Sequence, residues 1–202
     1  YCPPNTLIRP MSKKLKNSSI KVGAQNCHQN LTYGAFTGSV NSKMLKDVGA
    51  KYVIIGHSEN RKEGENDKLI NAKIKSALRW NIKVIFCIGE SLKEKRKKIT
   101  KKVLIKQIRN GLNRINNKND IIIAYEPVWS IGTGLIPNSN ELLEIITFIK
   151  KKTNNCKTLY GGSVSPKNIK ELKSIKNIDG FLVGGASQDP KKFIDIIKKT
   201  YN

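Results

Sequence analysis

The sequence predicts an α/β chain whose parallel strands close into a barrel, and three observations lead there. Six short apolar runs recur along the 202 residues: "IKVGAQN" (20–26), "KYVIIGH" (51–57), "KVIFCIG" (83–89), "DIIIAYE" (120–126), "KTLYGG" (157–162) and "DGFLVGG" (179–185). Longer amphipathic stretches separate them, and strict alternation of β and α elements implies a parallel sheet. Unusual residues follow nearly every run. That pattern fits βα loops ringing one mouth, whereas a doubly wound sheet gathers its ligand at one switch point.

The runs lack apolar/polar alternation, so their strands are expected to be buried on both faces. The clearest helical pattern is "KKVLIKQIRNGLNRI" (101–115), where Val103, Leu104, Gln107, Ile108, Gly111, Leu112 and Ile115 recur at a spacing of three and four. No composition break or Pro/Ser-rich linker divides the chain, so a single domain over 1–202 is expected. Neither G-x-G-x-x-G nor G-x-x-x-x-G-K-[ST] occurs, which removes the main support for a nucleotide-binding sheet.

Lys plus Arg number 38 against 15 Asp plus Glu, a formal net charge of +23. A polyanion is therefore the first partner to consider. Yet the densest run, "KEKRKKITKK" (93–102), contains no aromatic for base stacking, and Lys150, Lys151, Lys152, Lys191, Lys192, Lys198 and Lys199 lie in separate helical patterns. This is the layout of a solvated surface, and nucleic acid is not the expected partner. The abundance of Ile and Asn beside Lys also matches a coding bias. Cys2, Cys27, Cys87 and Cys156 show no C-x-x-C pairing, and with only His28 and His57 beside them they make neither a metal site nor a disulfide framework. A reducing, cytoplasmic compartment is expected. No apolar stretch approaches the ~18 residues needed to span a bilayer, and no signal-peptide layout opens the chain.

The strand ends read as a site. In "AYEPVWSIGTG" (124–134), Glu126 sits where an apolar strand emerges, and a partly desolvated carboxylate there serves either as a general base or as an ordinary strand-end acid in a salt bridge. Pro127, Val128 and Trp129 form a stiff lever, while Gly132 and Gly134 let the backbone bend, which suggests a lid; a plain surface loop is the alternative. "VIIGHSENR" puts His57 at a strand end just before a helix, whose positive dipole end would keep the imidazole neutral and a proton donor, although a lone histidine is more often structural. "YGGSV" (160–164) and "VGGAS" (183–187) are each expected to open a helix and offer backbone N–H groups to an oxyanion, the usual phosphate site of barrels. A base, a neutral electrophile, a phosphate cradle and a lid fit proton abstraction beside the carbonyl of a small phosphorylated sugar. That chemistry requires no metal or redox cofactor.

"GAQN", "GAFTG", "YVIIGHSENR", "CIGE", "AYEPVWSIGTG", "YGGSV" and "DGFLVGGAS" occur in the order and spacing of the triosephosphate isomerase family, and the resemblance covers essentially the whole chain. It implies a dimeric (β/α)8 barrel that interconverts dihydroxyacetone phosphate and glyceraldehyde 3-phosphate in glycolysis and gluconeogenesis. The family is a known example of pKa tuning and loop closure. By motif, Glu126 resembles the base and His57 the donor that stabilises the enediolate. Gly132, Ser163, Gly184 and Gly185 resemble the backbone grip on the phosphate.

The departures carry expectations of their own. The family opens with a strand bearing N-W-K, whose Asn and Lys reach the site. This sequence begins at Tyr1 with "YCPP", which resembles the end of strand two, so the expected fold is a barrel missing its N-terminal βα unit. A TIM barrel typically needs about 250 residues. Losing one preorganised donor costs on the order of 10²–10³ in rate, and an unclosed barrel exposes two strand edges, so residues 1–202 alone are expected to turn over poorly. The family's interface pair, Glu after "GAFTG" and Arg after "HSE", is replaced by Ser39 and Asn60. Replacing both charges is nearly neutral, so a homodimer through the loop around Thr37 is still expected. Ser130 stands where the lid usually has alanine, and "LIP" (135–137) replaces a common K-x-A ending. Two other readings stay open: a different phosphate-binding barrel enzyme, and a basic binding protein on a degenerate barrel.

Overall fold

A computed structural model describes residues 1–201 and places a strand in each of the six apolar runs: β1 (Gly23–Ala24), β2 (Tyr52–Ile55), β3 (Lys83–Ile88), β4 (Ile121–Tyr125), β5 (Lys157–Tyr160) and β6 (Gly180–Phe181). The helices between and after them are α1 (Ile8–Lys14), α2 (Ser42–Asp47), α3 (Ser58–Lys62), α4 (Asp67–Arg79), α5 (Leu92–Arg96), α6 (Thr100–Gly111), α7 (Ser139–Thr153), α8 (Ile169–Ser174) and α9 (Pro190–Tyr201). Each strand covers only part of its run: in β1 the leading Ile20, Lys21 and Val22 lie outside it, and in β6 Leu182 and Val183 do. α6 likewise stops at Gly111, before the end of its 101–115 pattern, and Arg114 takes a left-handed φ of 56°. Two compact units are described in turn: residues 1–87 with 109–122, and residues 88–108 with 123–202.

In the first unit, β1, β2 and β3 are neighbours in that order and pair parallel, with Gly23 opposite Tyr52 and Tyr52 through Ile55 opposite Lys83 through Phe86. Tyr1 lies along β1, accepting from Gly23 N–H at 2.9 Å. From Val84 to Cys87 the strand is buried at every position, because helices cover one face and side chains fill the other. α4 starts where the Asn66 side chain accepts from Leu69 N–H, and it buries Ile70, Ile74 and Ala77, which share one face. Its polar residue in that face, Asn71, donates to the carbonyls of Gly111 and Asn113 at 2.8 and 3.0 Å. Lys73 is also buried, between Glu65 and Asn26, which supply its acceptors.

In the second unit, β4, β5 and β6 follow in chain order, with Tyr160 opposite Phe181 in parallel register. Ser91 and Glu94 form a reciprocal capping box that starts α5. α7 buries Leu142, Ile145, Ile146 and Ile149 and stops at Asn154, whose left-handed φ of 57° suits asparagine. In α6, Gln107 occupies the otherwise apolar face to hold both backbone groups of Gly89, at 2.9 and 3.0 Å. No helix among the described residues is long and apolar enough to cross a membrane.

Candidate active site

β4 delivers Glu126. Ile121, Ile123, Ala124 and Tyr125 are buried, and Glu126, one residue past the strand, is still only 2% exposed. Its N–H donates to the Ile88 carbonyl at 2.8 Å, and Gly161 N–H donates to the Tyr125 carbonyl at 2.8 Å, so the position of Glu126 is fixed from both sides. Two glycines make room for it. A Cβ at Gly89 would overlap the Glu126 carbonyl, and one at Gly161 would lie 2.8 Å from Glu126 Cγ.

The segment after Glu126 is anchored at its start and exposed at its tip. Val128 N–H donates to the Glu90 carbonyl at 3.0 Å, and the Trp129 indole N–H donates to Glu90 Oε1 at 2.8 Å. Glu90, 1% exposed, also accepts from the Tyr125 hydroxyl at 3.1 Å. Burial pushes the Glu90 carboxyl above the usual glutamate range, against the opposing pull of the Trp129 and Tyr125 bonds and the Lys95 charge. Burial, and then the Glu90 charge, holds the Tyr125 hydroxyl well above its ordinary value. Lys95 sits 3.9 Å over the Trp129 ring and pairs with Glu141 at 2.7 Å, which steadies the indole from its far face. At the tip, Gly132 and Gly134 hold φ of 70° and 80°, and a side chain at either would meet open space.

The glycine pairs correct an expectation. "YGGSV" does not open a helix: Gly161 to Asn168 form a loop, tied by Asn168 to the Ser163 carbonyl and the Ser165 N–H, and α8 begins only at Ile169. Pro166 explains the delay, since it disfavours the helical conformation in the residue before it. Ser163 N–H donates to Ser130 Oγ at 3.2 Å, joining this loop to the segment after β4. "VGGAS" opens a 3-10 turn, Gly185–Gln188, rather than the following α9, which starts at Pro190. Gly184 and Gly185 are exposed, and nothing lies within 4 Å of where a Cβ would stand on either.

His57 belongs to the first unit, where it is the N-cap of α3. Its Nδ1 accepts from Glu59 N–H at 3.4 Å, while the Glu59 carboxylate lies 3.6 Å away on a side chain that is 78% exposed. The amide contact governs, because an exposed carboxylate beyond hydrogen-bond distance is screened by water. An accepting Nδ1 leaves the proton of the neutral ring on Nε2. Arg61 braces this strand end by donating to the carbonyls of Gly56 and Cys87 and to Asp67 Oδ1. Among the described residues, no group of three or more His, Cys, Asp or Glu side chains is gathered as a metal ion would require.

The sequence reading passed over Glu90, Tyr125 and Tyr160. The signal for Glu90 was present: in "CIGE" an acid follows an apolar strand, as Glu126 does in "AYE". Tyr160, completely buried, touches the Ser130 hydroxyl at 3.0 Å, and burial pushes its own hydroxyl up to about 12.

Comparison with known proteins places these features. A family profile described as triosephosphate isomerase matches residues 1–200. A triosephosphate isomerase of Thermodesulfovibrio yellowstonii is 47% identical over 200 residues, covering 95% of this chain and 81% of the relative. One from Aquifex aeolicus is 43% identical over 206 residues, covering 97% of this chain and 83% of its own length. A crystal structure of triosephosphate isomerase from Bartonella henselae superimposes with a TM-score of 0.91 at 36% identity, over 100% of this chain and 86% of that one.

Proposed function

Because the chain belongs to the triosephosphate isomerase family and shares its α/β barrel fold, we propose that it interconverts dihydroxyacetone phosphate and D-glyceraldehyde 3-phosphate through an enediolate. In this reading the Glu126 carboxylate takes the proton from the carbon beside the carbonyl and returns it to the neighbouring carbon. The electron pair moves onto the carbonyl oxygen, where the His57 Nε2–H stabilises the developing charge; that oxygen then takes a proton while the neighbouring hydroxyl gives one up, so the carbonyl re-forms on the carbon that lost its hydrogen. The backbone N–H groups of Gly132, Ser163, Gly184 and Gly185 hold the phosphate, and the 127–137 segment closes to keep water from the intermediate. Only protons pass between protein and substrate, and the electron pairs shift within the substrate, so the scheme calls on no cofactor.

The observation that carries this reading is the burial of Glu126 at the end of β4, 2% exposed and crowded by Gly89 and Gly161. A carboxylate confined in that way is held in one position to meet a substrate carbon. The same reading includes a homodimer through the loop around Thr37, and work in cytoplasmic glycolysis and gluconeogenesis. Exposed Leu31, Tyr33 and Phe36 on that loop are consistent with a partner surface.

The test is isomerase activity on glyceraldehyde 3-phosphate for the enzyme and its Glu126→Asp variant. Shortening the side chain misplaces the carboxylate by about 1 Å, which costs ~10²-fold in kcat with little change in KM. Activity that survives the substitution removes Glu126 from the role of base.

A further inference from the structure

Ser130 occupies the position where the family usually has alanine, so its hydroxyl is a group that the family's usual pattern lacks. The residue is 0% exposed and its oxygen is fully committed. It donates to the Leu135 carbonyl at 2.5 Å, lies 3.0 Å from the Tyr160 hydroxyl and accepts from Ser163 N–H at 3.2 Å. A serine hydroxyl has one proton and two lone pairs. With its proton on Leu135, both lone pairs are taken, which makes Tyr160 the donor in their contact. One atom thereby ties three pieces of chain: the start of the lid turn, its end five residues later, and the loop after β5.

We propose that Ser130 Oγ is an internal competitor for the substrate phosphate, holding the Ser163 N–H until a phosphate oxygen displaces it and frees the lid. The inference rests on the reading of Ser163 as a phosphate donor. An N–H makes one good hydrogen bond at a time, so a phosphate oxygen and Ser130 Oγ exclude each other there. The phosphate wins the exchange because a charged acceptor bonds roughly twice as strongly as a neutral hydroxyl. Ser130, having lost one of its two donors, keeps only Tyr160 and Leu135, so the turn it closes is no longer joined to the loop after β5. The intervening Gly132, Thr133 and Gly134 are exposed, and Thr133 is bonded only within the turn, to Trp129, Ser130 and Leu135, so the turn can shift as a unit. Phosphate arrival and lid release thus become one event at one oxygen atom.

Inorganic phosphate is the probe, with two readouts. The first is its inhibition constant against isomerisation for the wild type and Ser130→Ala. Removing the competitor should tighten phosphate binding roughly 3- to 10-fold, the equivalent of one neutral hydrogen bond, and lower KM for the triose phosphate in step. The second needs no variant: in an amide NMR titration of the wild type, the Ser163 and Leu135 resonances should move with one common midpoint. Unchanged or weaker phosphate binding by folded Ser130→Ala overturns the inference, as does a Leu135 resonance that ignores phosphate while Ser163 responds; both outcomes leave the phosphate site itself standing. A wild type that neither isomerises nor shifts Ser163 overturns the functional reading and this inference together. Should Ser130→Ala fail to fold, the wild-type titration decides.

Discussion

Trp129 donates its indole N–H to Glu90 at 2.8 Å, across 39 residues of chain. The start of the proposed lid is thereby hung on a buried carboxylate that also takes the Tyr125 hydroxyl, from the last residue of the strand that presents Glu126. One acid links the segment after Glu126 to the strand before it.

That acid should titrate visibly. Burial raises Glu90 above its ordinary value of 4.5, and the bonds from Trp129 and Tyr125 and the Lys95 charge only partly offset this. A folded carboxyl that holds its proton more tightly than the unfolded chain adds stability below the unfolded pKa, and that contribution is lost as pH climbs through the folded one. Glu90→Gln cannot titrate. The difference in urea midpoint between variant and wild type is therefore expected to move in the variant's favour as pH rises from the ordinary glutamate pKa through the raised one, and a flat difference would exclude the effect.

Gly161→Ala tests how closely the base is packed. Its new Cβ would lie 2.8 Å from Glu126 Cγ and 3.4 Å from Leu182 Cβ, so the side chain of the proposed base has to shift. A displacement of about 1 Å predicts a kcat reduction of ~10²-fold with a small change in KM. Steady-state kinetics on a variant whose circular dichroism matches the wild type would check it, and unaltered kcat would show that the carboxylate tolerates the crowding.

Arg61 should matter for stability rather than for chemistry. Its guanidinium satisfies the carbonyls of Gly56 and Cys87 and pairs with Asp67 at 2.8 Å, all partly buried. Arg61→Ala removes one charged donor from all three acceptors, at a cost of about 3 kcal/mol. The urea unfolding midpoint reports it; a loss below about 1 kcal/mol would mean that water replaces the guanidinium.

The loop around Thr37 bears on assembly. Thr37 is exposed, as are Tyr33 and Phe36 on the same loop. Thr37→Arg places a long charge in the proposed interface and is expected to turn a dimer into a monomer at micromolar concentration, without altering the far-ultraviolet spectrum. Sedimentation velocity decides this, and a wild type that sediments as a monomer removes the dimer altogether.

How much of this was written in the sequence differs from feature to feature. The strands were legible because period and burial coincide: "KVIFCI" is apolar throughout and buried at all but its first residue. The positions of Glu126 and His57 followed from where those runs stop. The onset of α8 did not, since Pro166, beyond the glycines of "YGGSV", delays the helix to Ile169. Gln107 was legible only as a member of an amphipathic stripe; that its amide clasps Gly89, 18 residues away, depends on tertiary proximity. The same holds for Glu90 with Trp129, and for Ser130 with Tyr160 and Ser163. A side chain's hydrogen-bond partner is chosen by the fold, not by its neighbours in sequence.

The buried sulfurs have a use beyond packing. Cys27 and Cys87 lie inside the first unit and Cys156 inside the second, each shielded from solvent. An alkylating reagent reaches them only when the surrounding structure opens, so labelling rates followed residue by residue by mass spectrometry would clock the breathing of each unit separately. Burial pushes the Cys27 thiol up to about 11, so its thiolate, the reactive form, forms in quantity only once water has entered.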